Sequence, residues 1–469
     1  MNRILFFTIL LIFFYCITCL YRLDELYTFS FDQYRDAWQV KKIIVDKNLT
    51  LIGPQSSFYG IYYGPIFYYS LVPFYFITAM DPTGGAYWAV FTGLIIMLIL
   101  LYVAKEIYSY RTSLLAGIIY ILSAKMNLFI NRDCRNDPPL LAISLVIFWI
   151  LVKIASSRKK INFLYLILLG ILAGLGFHFH FASIVFMPLI FISFALIGTK
   201  RIIFKSFVVS LLYIIMLLPL ILFDFLHQHM IWRSIASLLS GLGETGNSNY
   251  IAQLGQNIII FLNNYLTFLI PQSAPSFIKA VTLFGVGLIF YQYWVKNCRQ
   301  ILKSLPDRLY ILWIIVPVLV FSVYPGENYY YYYLLTVPVL LLVLARGMDL
   351  CFAQKNWRYA TFFFLTLMAL FNTGQVLTFE NPRSLKLTEQ AINYIKDDSQ
   401  GKPVFIDYYS KDGFKVGFEY LTYYYNLNVV KPQNRRYYPE YLIYVPAGEI
   451  KNNYQAVFGD IGIVVKPSI

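Results

Sequence analysis

The residues able to do chemistry in this 469-residue chain are few and lie in short polar stretches between long apolar runs. The sharpest stretch is Phe31-Asp32-Gln33-Tyr34-Arg35-Asp36-Ala37-Trp38. Asp32 and Asp36 stand four apart and so share one face of a helix. A carboxylate positioned there can take a proton from an attacking hydroxyl or amine. A second stretch reads Asn131-Arg132-Asp133-Cys134-Arg135-Asn136-Asp137-Pro138-Pro139-Leu140. Arg132 and Arg135, with Lys125 ahead of them and Arg35 and Lys41 behind, are the donor types that hold a phosphate. Asp137 is the next candidate base. Tyr59, Tyr62 and Tyr63 lie in an aromatic, Gly-broken segment, 57–65. Their rings and hydroxyls are suited to binding a sugar. His180 and Glu327, the latter just before the tyrosine run 329–333, are placed to line the same cavity.

Each of these residues has a structural reading beside the chemical one. Ser30 and Gln33 form a capping box, and Asp32 falls in the first turn, where the helix dipole favours a carboxylate. Asp137 before Pro138 is also the pattern of an N-cap with proline in the first turn. Segment 57–65 serves equally as an interfacial anchor. His178 and His180 point apart if helical, which disfavours a shared metal, and His227 and His229 repeat that spacing in a loop. Cys16, Cys19, Cys134, Cys298 and Cys351 make neither a disulfide framework nor a metal-type spacing. No Gly-rich nucleotide loop is present.

The elements that must position these groups are apolar. Runs 4–20, 86–104, 161–177, 181–198, 206–223, 280–295, 309–324, 330–345 and 359–378 carry no charged residue. Each is long enough, or nearly so, to cross a hydrocarbon core of about 30 Å. Runs 112–130 and 138–152 bring the total to about eleven spans. The basic clusters at 158–160, 200–205, 296–308 and 346–358 then all fall on one side, which the positive-inside rule makes cytoplasmic. That parity places 65–80 and 251–270 as interfacial helices, with Lys125 snorkelling outward late in its span. The N-terminus is cytoplasmic and its run is an uncleaved first span. Outer loops follow at 21–85, 131–137 and 224–279. Residues 384–469 differ in composition: a helical pattern at Leu385, Leu387, Ala391, Ile392 and Ile395 precedes strand-like runs at 403–409, 441–445 and 461–465. The expected architecture is an all-α polytopic membrane domain, 1–383, with a small extracytoplasmic α/β domain, 384–469.

Composition agrees. The chain is 59% hydrophobic, only 13% charged and 19% aromatic, with 41 tyrosines suited to membrane interfaces. Its net charge of +14 does not point to nucleic acid, because the basic residues sit at span ends.

The order of these motifs resembles the GT-C membrane glycosyltransferases, in the branch of the protein O-mannosyltransferases and the lipid A aminoarabinose transferase. Four places carry the likeness: Asp32 soon after the first span, the aromatic Gly-Pro segment at 60–69, Asp137-Pro138-Pro139-Leu140 opening a span, and 174–180 ending in His180. The overall plan extends it to the whole chain. The resemblance implies transfer of a sugar from a polyprenyl-phosphate donor to a lipid, glycan or protein acceptor at the outer membrane face, with Asp32 as base; the short loops and compact outer domain point to the plasma (inner) membrane of a bacterium. One departure stands out. Many relatives carry Asp-Glu in the first loop, whereas Gln33 follows Asp32 here, which weakens a metal assignment; a divalent metal stays open. The alternative is a transporter or flippase of lipid-linked sugars. It calls for ionisable groups near the bilayer midplane, and these spans are almost free of charge.

Overall fold

The computed structural model describes residues 3–56, 58–156, 162–244, 250–291, 305–324, 328–410, 418–448 and 453–466. Each expected span contains a helix. Thr83–Ile107, Pro139–Ser156, Tyr330–Phe352 and Trp357–Thr378 are by themselves long and apolar enough to cross a membrane among the described residues. Ile202–Met216 and Leu218–Leu226, bent by 54° at their junction, make a fifth if taken as one span. Shorter apolar helices, among them Leu5–Leu20, Tyr110–Leu122, Phe163–Phe179, Phe181–Leu196 and Ser276–Phe290, account for most of the remaining runs. The chain is a multi-pass membrane protein.

Besides the bent pair, three of the described spans are less regular than expected. Run 181–198 opens as a 3-10 turn, Phe181–Val185, before helix Phe186–Leu196. Run 112–130 is not one helix: Tyr110–Leu122 stops at Ser123, and a π-helical turn, Met126–Ile130, follows. The Ala124 amide freed by this break donates to Asn372 Oδ1 at 2.9 Å. A helix break at membrane depth needs such a partner, because no water is there to supply one. Run 330–345 opens as a 3-10 turn, Tyr330–Thr336, and continues as a helix, Val337–Phe352.

Phe163–Phe179 approaches the bent pair closely at Gly174, where an added Cβ would lie 2.5 Å from Met216 Cβ. Small residues permit this kind of contact in membranes. One turn on, His178 Nε2 bonds Met216 O at 2.7 Å.

The first outer loop folds onto this bundle. Ser30 and Gln33 form the expected capping box at the start of helix Phe31–Ile44, whose Ala37, Val40 and Ile43 are buried. Beyond it the backbone doubles back between Gly53 and Gly64, with Gly53 N donating to Tyr63 O at 2.7 Å and Tyr63 N to Pro54 O at 3.0 Å. Helix Ile66–Ile77 follows.

The C-terminal unit is α/β, as its sequence pattern suggests. Helix Leu385–Asp398 buries Leu385, Ala391, Ile392 and Ile395. Strands β1 (Phe405–Ser410), β2 (Glu440–Val445), β3 (Ala456–Phe458) and β4 (Ile461–Lys466) form one sheet in the order β1-β2-β4-β3. Its β1–β2 pair is parallel and the other two are antiparallel. The three longer strands match the expected runs; β3, of three residues, is too short to show in a pattern of alternation.

This unit sits on the first loop. Leu385 N donates to Tyr27 O at 2.9 Å and Phe29 N to Arg383 O at 3.0 Å. Trp38 packs edge-on against Tyr420 and Tyr423. The helix bearing Asp32 is thereby gripped by the bundle on one side and the α/β unit on another.

Gly64 lies on His178, and a Cβ there would fall 2.0 Å from Nδ1. Gly64→Ala must push the 53–64 segment off the helix end. Overpacking of this kind costs about 1–3 kcal/mol, and thermal unfolding of the purified protein in detergent should show a lowered Tm.

Candidate active site

The first loop, the second loop and the end of helix Phe163–Phe179 enclose a polar cavity of about 380 Å³. Asp32, Arg35 and Asp36 line it from the first-loop helix, Tyr63 from the doubled-back segment, Asp133, Arg135 and Asp137 from the second loop, and His180, Tyr330 and Tyr331 from the span ends.

Arg35 joins the two acidic residues of its helix. Its Nη1 donates to Asp32 Oδ1 and its Nε to Asp36 Oδ1, both at 2.8 Å. The two carboxylates differ sharply in exposure. The Asp32 side chain is 64% exposed, whereas that of Asp36 is 2% exposed. Burial pushes the Asp36 carboxyl up to about 7, even with Arg35 beside it.

Arg135 and Asp137 form a forked pair, Nε to Oδ1 at 2.9 Å and Nη2 to Oδ2 at 2.7 Å. Both Asp137 oxygens therefore face Arg135, which goes beyond a helix-cap role. The third guanidinium nitrogen, Nη1, donates to the Tyr330 hydroxyl at 3.0 Å. Asp133 accepts from Thr28 N at 3.1 Å, and burial raises its carboxyl to about 6. Gln33 donates to Cys134 O at 2.9 Å and so ties the first loop to the second.

A second cavity, of about 510 Å³, lies on the other side of Tyr330, which lines both. Lys125 is the one charged side chain among its described lining residues. The break after Leu122 lets Lys125 turn toward helix Tyr250–Leu269, where Nζ donates to Asn264 Oδ1 at 2.7 Å and Thr267 Oγ1 at 2.8 Å. The ammonium also lies 4.4 Å from the Tyr330 ring centroid and 4.7 Å from that of Phe268. Its partners are neutral groups, in contrast to those of Arg35 and Arg135.

The sequence-predicted residues thus divide. Asp32, Asp137, Arg35, Arg135, Tyr63 and His180 meet in one cavity, and Lys125 stands in the other. Arg132 is not brought to either. It is fully buried, and its Nη2 donates to Thr18 O near the C-terminal end of the first helix, where a cation also suits the dipole. Tyr59 is 85% exposed at the tip of the doubled-back segment. Tyr62 packs on Phe223, 5.8 Å between centroids. Tyr62 and Tyr63 are adjacent and point to opposite faces, and Tyr59 lies in the turn at positive-φ Gly60, so of the three only Tyr63 lines the cavity. Glu327 lies outside the described residues. His178 is taken up by Met216, and His229 by Asp224 at 3.2 Å.

Reasoning from sequence missed the positions that complete the two cavities. Asp133 and Asn136 lay within a stretch already singled out but were passed over for its arginines. Asn264 and Thr267 lie in run 251–270, whose polar residues suggested only an interfacial helix. Among the described residues no group of three His, Cys, Asp or Glu is gathered to hold a metal ion. The cavity's arginine-paired carboxylates do not fit such a role, and no step is assigned to a metal.

A family model described as dolichyl-phosphate-mannose-protein mannosyltransferase matches residues 64–224, which include the second loop, Lys125 and His180. No curated protein matches the chain. Among solved structures it is similar to ArnT from Cupriavidus metallidurans bound to undecaprenyl phosphate, at 10% identity and a TM-score of 0.56, covering 99% of this chain and 98% of that one. It is also similar to the archaeal oligosaccharyltransferase AglB from Archaeoglobus fulgidus, in complex with an inhibitory peptide and a dolichol-phosphate. That match has 11% identity and a TM-score of 0.54 over 96% of this chain and 70% of that one. Segment 64–224 is thus similar to that family, and the whole chain shares the GT-C membrane fold of these proteins.

Proposed function

We propose that the chain transfers a sugar from a polyprenyl-phosphate donor to an acceptor at the extracytoplasmic face of the plasma membrane, with residues 384–469 on that same face. The observation that carries this reading is the pair of cavities meeting at Tyr330, one rich in carboxylates and one holding a lone ammonium. The lipid phosphates bound in ArnT and AglB, undecaprenyl phosphate and dolichol-phosphate, are of the class that such a pair suits.

The donor phosphate goes to Lys125. Four aspartates face two arginines in the polar cavity, and both arginines are already paired. An anion there would have to displace a carboxylate. At Lys125 it replaces only neutral oxygens, and a charge-assisted bond is roughly twice as strong as a neutral one. The sugar then projects past Tyr330 toward Asp32.

The acceptor hydroxyl or amine attacks the anomeric carbon. Its proton passes to Asp32, the most exposed of the cavity carboxylates whose burial bears on access. The bond from the anomeric carbon to the phosphate oxygen breaks, and its electron pair leaves with the phosphate, whose growing charge Lys125 stabilises. Inversion at the sugar carbon follows from attack opposite the leaving group. Arg35 orients Asp32, and Asp36 holds Arg35.

Asp32→Asn keeps the helix start, because the cap is made by Ser30 and Gln33. It should nevertheless cut transfer from radiolabelled polyprenyl-phosphate sugars by about 10²–10⁴-fold with an unchanged melting temperature. Transfer at the wild-type rate by a folded variant would move the base elsewhere.

Asp36 also predicts a pH dependence. Above about 7 it is ionised and shares Arg35 with Asp32. As the pH falls through that value Asp36 takes up a proton, and Arg35 turns its whole charge on Asp32, tying up the base. Transfer should decline on the acid side of about pH 7, and in Asp36→Asn this inflection should disappear from the rate profile.

A further inference from the structure

Asn372 lies in the last span, Lys355–Thr378, and is fully buried. An amide there is costly unless its groups are satisfied, and all of its bonds reach backbone. Its Oδ1 accepts from Ala124 N at 2.9 Å. Its Nδ2 donates to Leu269 O and Met368 O, both at 2.8 Å.

The first two contacts are at informative places. Ala124 immediately precedes Lys125, at the point where the Tyr110–Leu122 helix breaks. Leu269 ends the helix that carries Asn264 and Thr267, the two oxygens that hold the Lys125 ammonium. A single side chain therefore ties together the backbones on both sides of the Lys125 contact. One turn further along the same helix, Gln375 lines the cavity.

We infer that Asn372 is a positioning residue for the donor site: it fixes the break that aims Lys125 and the helix end that receives it. It touches no substrate and acts through Lys125. This inference rests on the reading that the donor phosphate binds at Lys125. Asn372→Leu keeps the volume and removes all three bonds. The Ala124 amide can then rejoin the preceding helix, turning Lys125 away from Asn264 and Thr267.

The test is a double-mutant cycle on binding of undecaprenyl phosphate to the full-length protein in detergent, with monodispersity and Tm as checks of folding. Lys125→Met should weaken binding by about 20-fold and Asn372→Leu by about fivefold, in keeping with loss of a charge-assisted bond and of its alignment. In the double variant binding should be no weaker than in Lys125→Met, because Asn372 then has nothing left to position. If Asn372→Leu does not fold, Asn372→Asp preserves the acceptor for Ala124 but cannot donate to Leu269 unless protonated, and should show the same dependence on Lys125 at smaller size.

Wild-type affinity in a folded Asn372 variant would overturn the inference. So would losses that multiply in the double variant, since these would mark a structural role independent of Lys125. Unchanged affinity in Lys125→Met would instead sink the underlying assignment of the phosphate site.

Discussion

The arrangement depends on a half-buried ammonium whose hydrogen-bond partners are neutral. A charge taken out of water is costly without an opposite charge beside it, and Arg35 and Arg135 each have one. Lys125 has an amide oxygen, a hydroxyl and two ring faces. In the proposed function an anionic ligand meets the electrostatic demand that this leaves. The rest of the site is organised around keeping other charges quiet: two arginines absorb three carboxylates, and the anion is left with one preferred place.

The same constraint explains why so many spans serve so small a site. The helix carrying Lys125 must break for the side chain to reach its partners, and a broken helix at membrane depth needs donors and acceptors from elsewhere. The last span supplies them through Asn372. The α/β unit plays a comparable part on the other side, where Tyr420 and Tyr423 pack on Trp38 and the 383–385 backbone pairs with 27–29. The helix bearing Asp32 is thus held by parts of the chain more than 350 residues away.

Much of this was legible in the sequence, for physical reasons. An uncharged run of some eighteen residues reads as a span whatever its neighbours. The Ser30–Gln33 box and the strand patterns are local, and both stand in the structure. What was not legible depends on distant partners. The break at Ser123 is held by a residue 248 positions away. Spacing put Asp32 and Asp36 on one face but could not tell which would be buried, since that depends on what packs over Ala37 and Val40. Arg132 and Arg135, three apart, looked equivalent; one caps the first helix and the other grips Asp137.

The most direct test is a structure of the protein with a bound polyprenyl phosphate. The account predicts a phosphate oxygen within hydrogen-bond distance of Lys125 Nζ, with the Arg35–Asp32 and Arg135–Asp137 pairs intact. A phosphate held instead by Arg35 or Arg135, with those carboxylates displaced, would contradict it.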